Sequence, residues 1–180
     1  MTDDPVRRVR GILAYDNPYV KVYDDEVIFA DGSPGKYLRI TGAVDGPGVV
    51  ILALCDGTVG MVRTYRYPVG AWQWALPRGF SQDADPLVTA AAELREELGV
   101  EATELRLLGT FTPDSGVLAQ HVAVVAAEVH DPHGSPEDVE EVAETRWTTT
   151  ADLWTAIASK EVDDGMTMAA MALARAHGIL

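Results

Sequence analysis

Thiol chemistry is nearly absent from this 180-residue chain, whose one cysteine is Cys55. A lone cysteine excludes an intramolecular disulfide and a cysteine-based zinc cluster. At the end of the apolar run 49–54 it reads as a small core residue. Basic residues are also scarce, 14 against 28 acidic ones, for a net charge of −14. That balance opposes nonspecific binding to nucleic acid or anionic membranes, so neither is expected as a partner. A phosphate-bearing ligand must be received locally, by arginines, backbone amides or metal ions. No stretch reaches the roughly 18 apolar residues of a membrane span. The opening MTDDPVRRVRGILAYDN has no apolar secretory core, so the expected location is the cytoplasm. Internal repeats and low-complexity tracts are missing. The four histidines form no ligand pattern, although His130 and His133 flank one loop. Ser115 has no base near it in sequence, so no nucleophilic triad is indicated.

Apolar residues at 47% and charged residues at 23% are ordinary globular proportions for one compact domain. The first ten residues are polar and expected to be loose. Residues 19–30 read as two short strands joined at Asp24-Asp25, and 37–44 as a third. DGPG at 45–48 marks a boundary between an N-terminal β-sheet region, 1–45, and a main domain, 46–180. Strands are expected over 49–54, 58–67, 72–76, 105–112, 121–129 and 141–147. Helices are expected over 84–98, 150–159 and 167–177, with 130–138 a loop. Asp83 or Asp85 suits the cap of the first helix, Pro86 its first turn and Gly99 its end. The order fits a mixed α/β layer fold.

Chemistry concentrates on the first helix. Leu87, Ala91, Leu94 and Leu98 define its buried face. Glu93, Glu96 and Glu97 gather on a second face within a turn of about 6 Å. Carboxylates so placed suit Mg²⁺ or Mn²⁺, hard cations that take one or two protein carboxylates plus water and substrate phosphate. A solvated acidic face is the competing reading. The preceding Leu76-Pro77-Arg78-Gly79-Phe80 closes a strand, and a backbone carbonyl of that turn can add a ligand where Gly79 permits it.

Residues 79–100 resemble the Nudix box, most closely over Glu93-Leu94-Arg95-Glu96-Glu97-Leu98-Gly99-Val100. Two departures stand in its first half. Asp85 replaces an early glutamate with a spacer one residue short, and Ala92 replaces the box arginine. The run from Val62 to the Pro68-Val69-Gly70-Ala71-Trp72 segment is similar to ADP-ribose pyrophosphatases of that family. So are Phe111-Thr112-Pro113-Asp114-Ser115-Gly116 and Asp164-Gly165-Met166-Thr167. The resemblance implies an α/β/α sandwich with a mixed sheet, plus a small N-terminal antiparallel sheet. It implies hydrolysis, with Mg²⁺ or Mn²⁺, of a nucleoside diphosphate linked to another group, ADP-ribose or a related nucleotide sugar foremost. A catalytically weakened nucleotide-binding module is the alternative, motivated by Ala92. It also implies a homodimer whose N-terminal sheet packs on the partner subunit.

On that resemblance Glu93 and Glu97 are expected metal ligands, Glu96 a third ligand or catalytic helper, and the Arg78 carbonyl a completing ligand. The general base is expected from the acidic loop 135–141, with Glu140 first, then Glu141 and Glu137. Arg66 and Arg63 are candidate substrate contacts. Their spacing of three puts them on opposite strand faces, so both serve one phosphate only if the strand bends or a dimer shares the site. A structural ion pair is the alternative for either. Arg78 is a further phosphate candidate. Trp72 and Trp74 share a strand face, and one of them could stack on a base; sheet packing or a dimer contact is the other use.

Overall fold

The computed structural model describes residues 4–180. Among these, four strands make an N-terminal antiparallel sheet: β1 (Val6–Arg10), β2 (Leu13–Asp16), β3 (Val20–Phe29) and β4 (Pro34–Gly42). The long β3 is central, pairing with β1 and β2 along one edge and β4 along the other. Two sequence expectations are corrected here. The segment expected to break at Asp24-Asp25 is one continuous strand, because Asp25 turns inward and is neutralised. Its carboxylate accepts from Arg39 Nε at 2.6 Å, with Arg8 at 4.0 Å. These arginines hold the Asp25 carboxyl below the usual range, the Arg39 hydrogen bond foremost. The stretch expected to be loose supplies β1 within its described part, while residues 1–3 lie outside the described residues.

The main sheet is mixed and seven-stranded, running β11-β6-β5-β10-β9, with β7 on β6 and β8 on β5. Its strands are β5 (Gly48–Cys55), β6 (Thr58–Arg66), β7 (Ala71–Ala75), β8 (Arg78–Gly79), β9 (Ala102–Phe111), β10 (Val122–Val129) and β11 (Val142–Thr149). Only the central pair β5 and β10 is parallel among them. Both strands are apolar on both faces, as burial between two helical layers requires. Val50, Leu52, Val122 and Val124 face α2 (Thr150–Ala158) and α3 (Gly165–Ala176). Val49, Ile51, Ala123 and Val125 face the other helical layer, where Ala90, Leu94 and Leu98 pack on them. Cys55 is buried in that second cluster, as expected. Full burial of a side chain such as Ile51 or Leu52 contributes about 1.5–3 kcal/mol.

The first helix is shorter and less regular than its apolar periodicity suggests. α1 spans Pro86–Glu93, and Asp85 is its N-cap, accepting from Leu87 N. A π-helical turn, Leu94–Leu98, follows and ends at Gly99 in the left-handed conformation with φ 68°. Single π-turns inside helices widen the backbone locally and recur where side chains must be re-aimed. The two sheets are joined through the 113–119 loop: Ile40 N donates to Val117 O at 2.8 Å and Ala119 N to Ile40 O at 2.8 Å. No helix among the described residues is long and apolar enough to cross a membrane.

Candidate active site

The site forms where the end of α1 and its π-turn meet the two-residue strand β8. The β8 backbone is paired with Val49 and Val50 of the central β5, so it is rigidly placed. Glu97 Oε2 accepts from Arg78 N at 2.9 Å. One turn earlier, the Glu93 carboxylate lies directly against the Gly79 Cα. A Cβ at position 79 would overlap Glu93 Oε1, which gives the glycine a physical reason. Both carboxylates are buried, Glu93 at 7% exposure and Glu97 at 5%. Glu96 is half-buried and Arg95 exposed.

Electrostatics are unusual here because like charges converge without enough cation. Burial pushes the Glu93 carboxyl up to about 7, with the charge of Glu96 adding to it and a Gln82 hydrogen bond opposing it. Burial likewise pushes Glu97 up to about 8, against the Arg78 N–H bond, with Glu93 raising it and Arg66 and Arg78 lowering it. Such paired shifts in a cleft mark functional-site candidates.

Facing these acids are two arginines. Arg66 sits at the end of β6 on the α1 side, close enough to Arg78, Glu97, Asp164 and Glu141 to feel each charge. Burial and the Arg78 charge depress its pKa. Arg78 pairs with Asp164 at 3.2 Å, the N-cap residue of α3, and its Nη1 reaches Met166 Sδ at 3.0 Å. Arg66 Nε and Nη2 and Arg78 Nε are buried with no protein partner among the described residues. Buried donors almost always have partners, so three on two adjacent guanidiniums mark a place built for an anion.

Arg63 goes to the opposite face of β6, as the spacing required. It pairs with Glu144 of β11 and lies over the Trp72 ring, 5.4 Å from the centroid. Trp72 also meets Tyr65 edge-on at 5.4 Å and is half exposed, while Trp74 packs on the α2/α3 core beneath Arg146. Within one chain, Arg63 and Trp72 are therefore on the other side of the sheet from Glu93 and Glu97.

The acidic loop is docked on the helix rather than free. Asp138 N donates to Glu96 O at 2.9 Å, and Trp147 Nε1 to Pro132 O at 3.0 Å. Gly99 and Gly134 pack backbone to backbone, where any Cβ would collide. Asp138 Oδ1 accepts from Glu140 N and Glu141 N, fixing the turn that carries both acids. Glu141 and Asp138 lie near enough to raise the Glu93 pKa. Glu137, Glu140 and Glu141 are all exposed. Two site contacts escaped the sequence: Gln82 on Glu93, and Asp138 as the organiser of its loop. Both depend on where a loop folds back, which residue spacing does not encode.

Hard divalent cations need oxygen donors and few protein carboxylates when phosphate and water complete the shell. Glu93 and Glu97 are such donors, buried with their charge incompletely balanced. Among the described residues no three His, Cys, Asp or Glu side chains could hold an ion by themselves. The donor set therefore suits Mg²⁺ or Mn²⁺ shared with a ligand, rather than an all-protein cage.

Fold and site together define a Nudix-type α/β protein. The chain belongs to the Nudix family: the NUDIX domain profile matches residues 44–169. It is 33% identical over 115 residues to the ADP-ribose pyrophosphatase of Mycobacterium tuberculosis, covering 62% of this chain and 56% of that protein. It is 35% identical over 107 residues to the CMP-5'-(N-acetyl-N-hydroxy-3-aminopropyl)phosphonate hydrolase of Streptomyces rubellomurinus, covering 58% and 52%. The chain spans about half the length of these curated relatives. A crystal structure of an ADP compounds hydrolase shares the fold with a TM-score of 0.82 at 16% identity, over 98% of both chains.

Proposed function

We propose that this chain is a divalent-metal-dependent pyrophosphohydrolase that splits ADP-ribose or a related nucleotide sugar into two monophosphates. One observation carries the reading. Two buried glutamates on a single helical stretch face two arginines that leave three buried donors, Arg66 Nε and Nη2 and Arg78 Nε, without protein partners among the described residues. A metal–diphosphate ligand answers both demands, because its cation meets the acids and its anionic oxygens meet the guanidiniums. The relatives named as an ADP-ribose pyrophosphatase and a CMP-phosphonate hydrolase support a nucleotide-linked substrate.

Glu93 and Glu97, with Glu96 and the Arg78 carbonyl as further donors, would hold Mg²⁺ or Mn²⁺. When bound, the ions supply charge neutralisation for the pyrophosphate oxygens. Arg66 and Arg78 bind and orient the diphosphate. In-line displacement needs this positioning more than covalent chemistry. Glu141 is the general base that takes a proton from the attacking water, supported by its closeness to both Glu93 and Arg66. Glu140, first in sequence order of preference, is the control position on the same turn.

The proposal includes a homodimer. The N-terminal sheet exposes Val9, Leu13, Tyr15, Tyr37 and Leu38, an apolar share that a second copy would cover. In a dimer, Arg63 or Trp72 of the partner could serve the site that they do not reach within one chain. Light scattering that finds only monomer removes this part.

The decisive experiment incubates the protein with ADP-ribose, other nucleotide sugars, dinucleoside polyphosphates and NADH, with Mg²⁺ or Mn²⁺. Products are resolved by chromatography. Release of AMP and a sugar phosphate is expected. Ligand binding without turnover would instead favour the binding module, for which Ala92 in place of the box arginine is the motivating observation.

A further inference from the structure

Glu93 has an orientation problem. Its helical neighbours are Ala92 and Leu94, and the charges that act on it most strongly, Glu96, Glu141 and Asp138, are all acidic, as is the nearby Glu97. The helix supplies no donor to fix its carboxylate. The loop before the helix does: Gln82 Nε2 donates to Glu93 Oε1 at 3.0 Å, the one side-chain donor to Glu93 among the described residues. Beside a carboxylate only the NH₂ end of the amide fits, so the assignment follows from chemistry.

The loop is built to deliver that amide. Thr89, fully buried, accepts at Oγ1 from both Gln82 N (3.3 Å) and Asp83 N (3.2 Å). Ser81 Oγ bridges Asp45 O and Asp83 O. Asp83 Oδ1 accepts from Asp85 N at 2.9 Å, and Asp85 caps α1. This chain folds 81–85 back onto the first helical turn, although Gln82 and Glu93 are eleven residues apart. Gly79 also packs against this carboxylate, leaving no room for a Cβ beside it.

We propose that Gln82 is a positioning residue that holds Glu93 in its working orientation; this rests on the pyrophosphohydrolase reading of the site. Gln82 is itself exposed, so replacing it removes an orienting contact without opening the core. Partners of this kind are typically worth about 10- to 100-fold in metal affinity or activity.

The test compares Gln82→Met, of similar length but without a donor, with Gln82→Arg, which keeps one. Three measurements are made on the full chain: kcat and KM with Mg²⁺ and ADP-ribose, Mn²⁺ affinity by calorimetry, and metal-free crystal structures. Gln82→Met is expected to lower kcat about 10- to 100-fold with KM within about twofold, to weaken Mn²⁺ binding, and to let the Glu93 carboxylate leave Gly79. Gln82→Arg is expected to restore most of each. Gln82→Met should keep the melting temperature of the unaltered protein, and Gln82→Arg should match or exceed it because its cation faces the acids. Unchanged Mn²⁺ affinity and an undisplaced Glu93 in Gln82→Met overturn the proposal, as does a Gln82→Arg protein as impaired as Gln82→Met. If the unaltered protein hydrolyses none of the substrates while Gln82→Met still weakens Mn²⁺ uptake and releases Glu93, the enzymatic reading fails and the positioning role stands.

Discussion

Glu97→Gln should make this protein more stable while ending the hydrolysis proposed for it. The Glu97 carboxyl is 5% exposed and is pushed from an ordinary 4.5 up to about 8, burial being the main cause. A carboxyl with a raised folded-state pKa binds its proton more tightly in the native than in the unfolded chain. Its stabilising contribution is therefore complete below about pH 4.5 and is lost as pH rises towards 8. At pH 7.5 the shift corresponds to about 4 kcal/mol against the fold, at about 1.4 kcal/mol per unit. Glutamine keeps an oxygen for the Arg78 N–H and carries no charge. Desolvating its amide returns about 1–2 kcal/mol of that gain. A net gain of about 2–3 kcal/mol raises the melting temperature by about 4–10 °C for a domain of this size.

The pH dependence separates this mechanism from generic repacking. At pH 5 the same arithmetic leaves less than about 1 kcal/mol, which the amide cost cancels or slightly exceeds, so the variant should lose its advantage and melt at or a little below the unaltered protein there. Differential scanning calorimetry in EDTA at pH 5 and pH 7.5 makes the comparison. Adding Mn²⁺ should then stabilise the unaltered protein more than the variant, because ligation replaces the missing counter-charge. A Glu97→Gln protein that melts below the unaltered one at pH 7.5, or that differs from it equally at both pH values, would refute the reasoning.

Gly79→Ala should fold but lose about 100-fold or more in kcat, since its methyl group takes the space of the Glu93 carboxylate; circular dichroism and turnover together check this. Arg66→Lys should raise KM for a diphosphate substrate about tenfold, because one ammonium cannot present the two buried guanidinium donors; steady-state kinetics read it. Glu141→Gln should lower kcat by about two to four orders of magnitude, whereas Glu140→Gln should stay within about twofold, both read by steady-state kinetics. Equal losses at both positions would count against Glu141 as the base.

What could be read in advance followed from periodicity and local chemistry. The continuous apolar run 49–54 marked β5 as a buried strand, the family resemblance implied the sandwich around it, and the spacing of Arg63 and Arg66 placed them on opposite faces of β6. The acid-rich turn was visible because its charges repeat at helical spacing. Three features were not visible, each for a tertiary reason. β3 reads as broken at Asp24-Asp25 until Arg39, fourteen residues on, neutralises Asp25. β1 looks like a polar tail because the value of its residues lies in pairing with β3. The π-turn at Leu94–Leu98 leaves no compositional trace, since leucine and glutamate suit an α-helix equally well.

If the protein turns over substrate, the same tertiary effects account for an alanine at position 92. A helix bearing Glu93, Glu96 and Glu97 must borrow every compensating group from other segments. β8 lends the Arg78 N–H to Glu97, the 81–85 loop lends Gln82 to Glu93, and β6 brings Arg66 into the same field. None of these donors lies on the helix, so the geometry of the acids depends on how three separate segments dock rather than on the helix sequence. On that basis the missing helical arginine should cost less than a methyl group at Gly79, which would overlap the Glu93 carboxylate, or a shift of the 81–85 loop. Disturbances that reach the carboxylates through the docked segments should thus outweigh changes of similar size on the exposed face of α1, such as Val88→Ala.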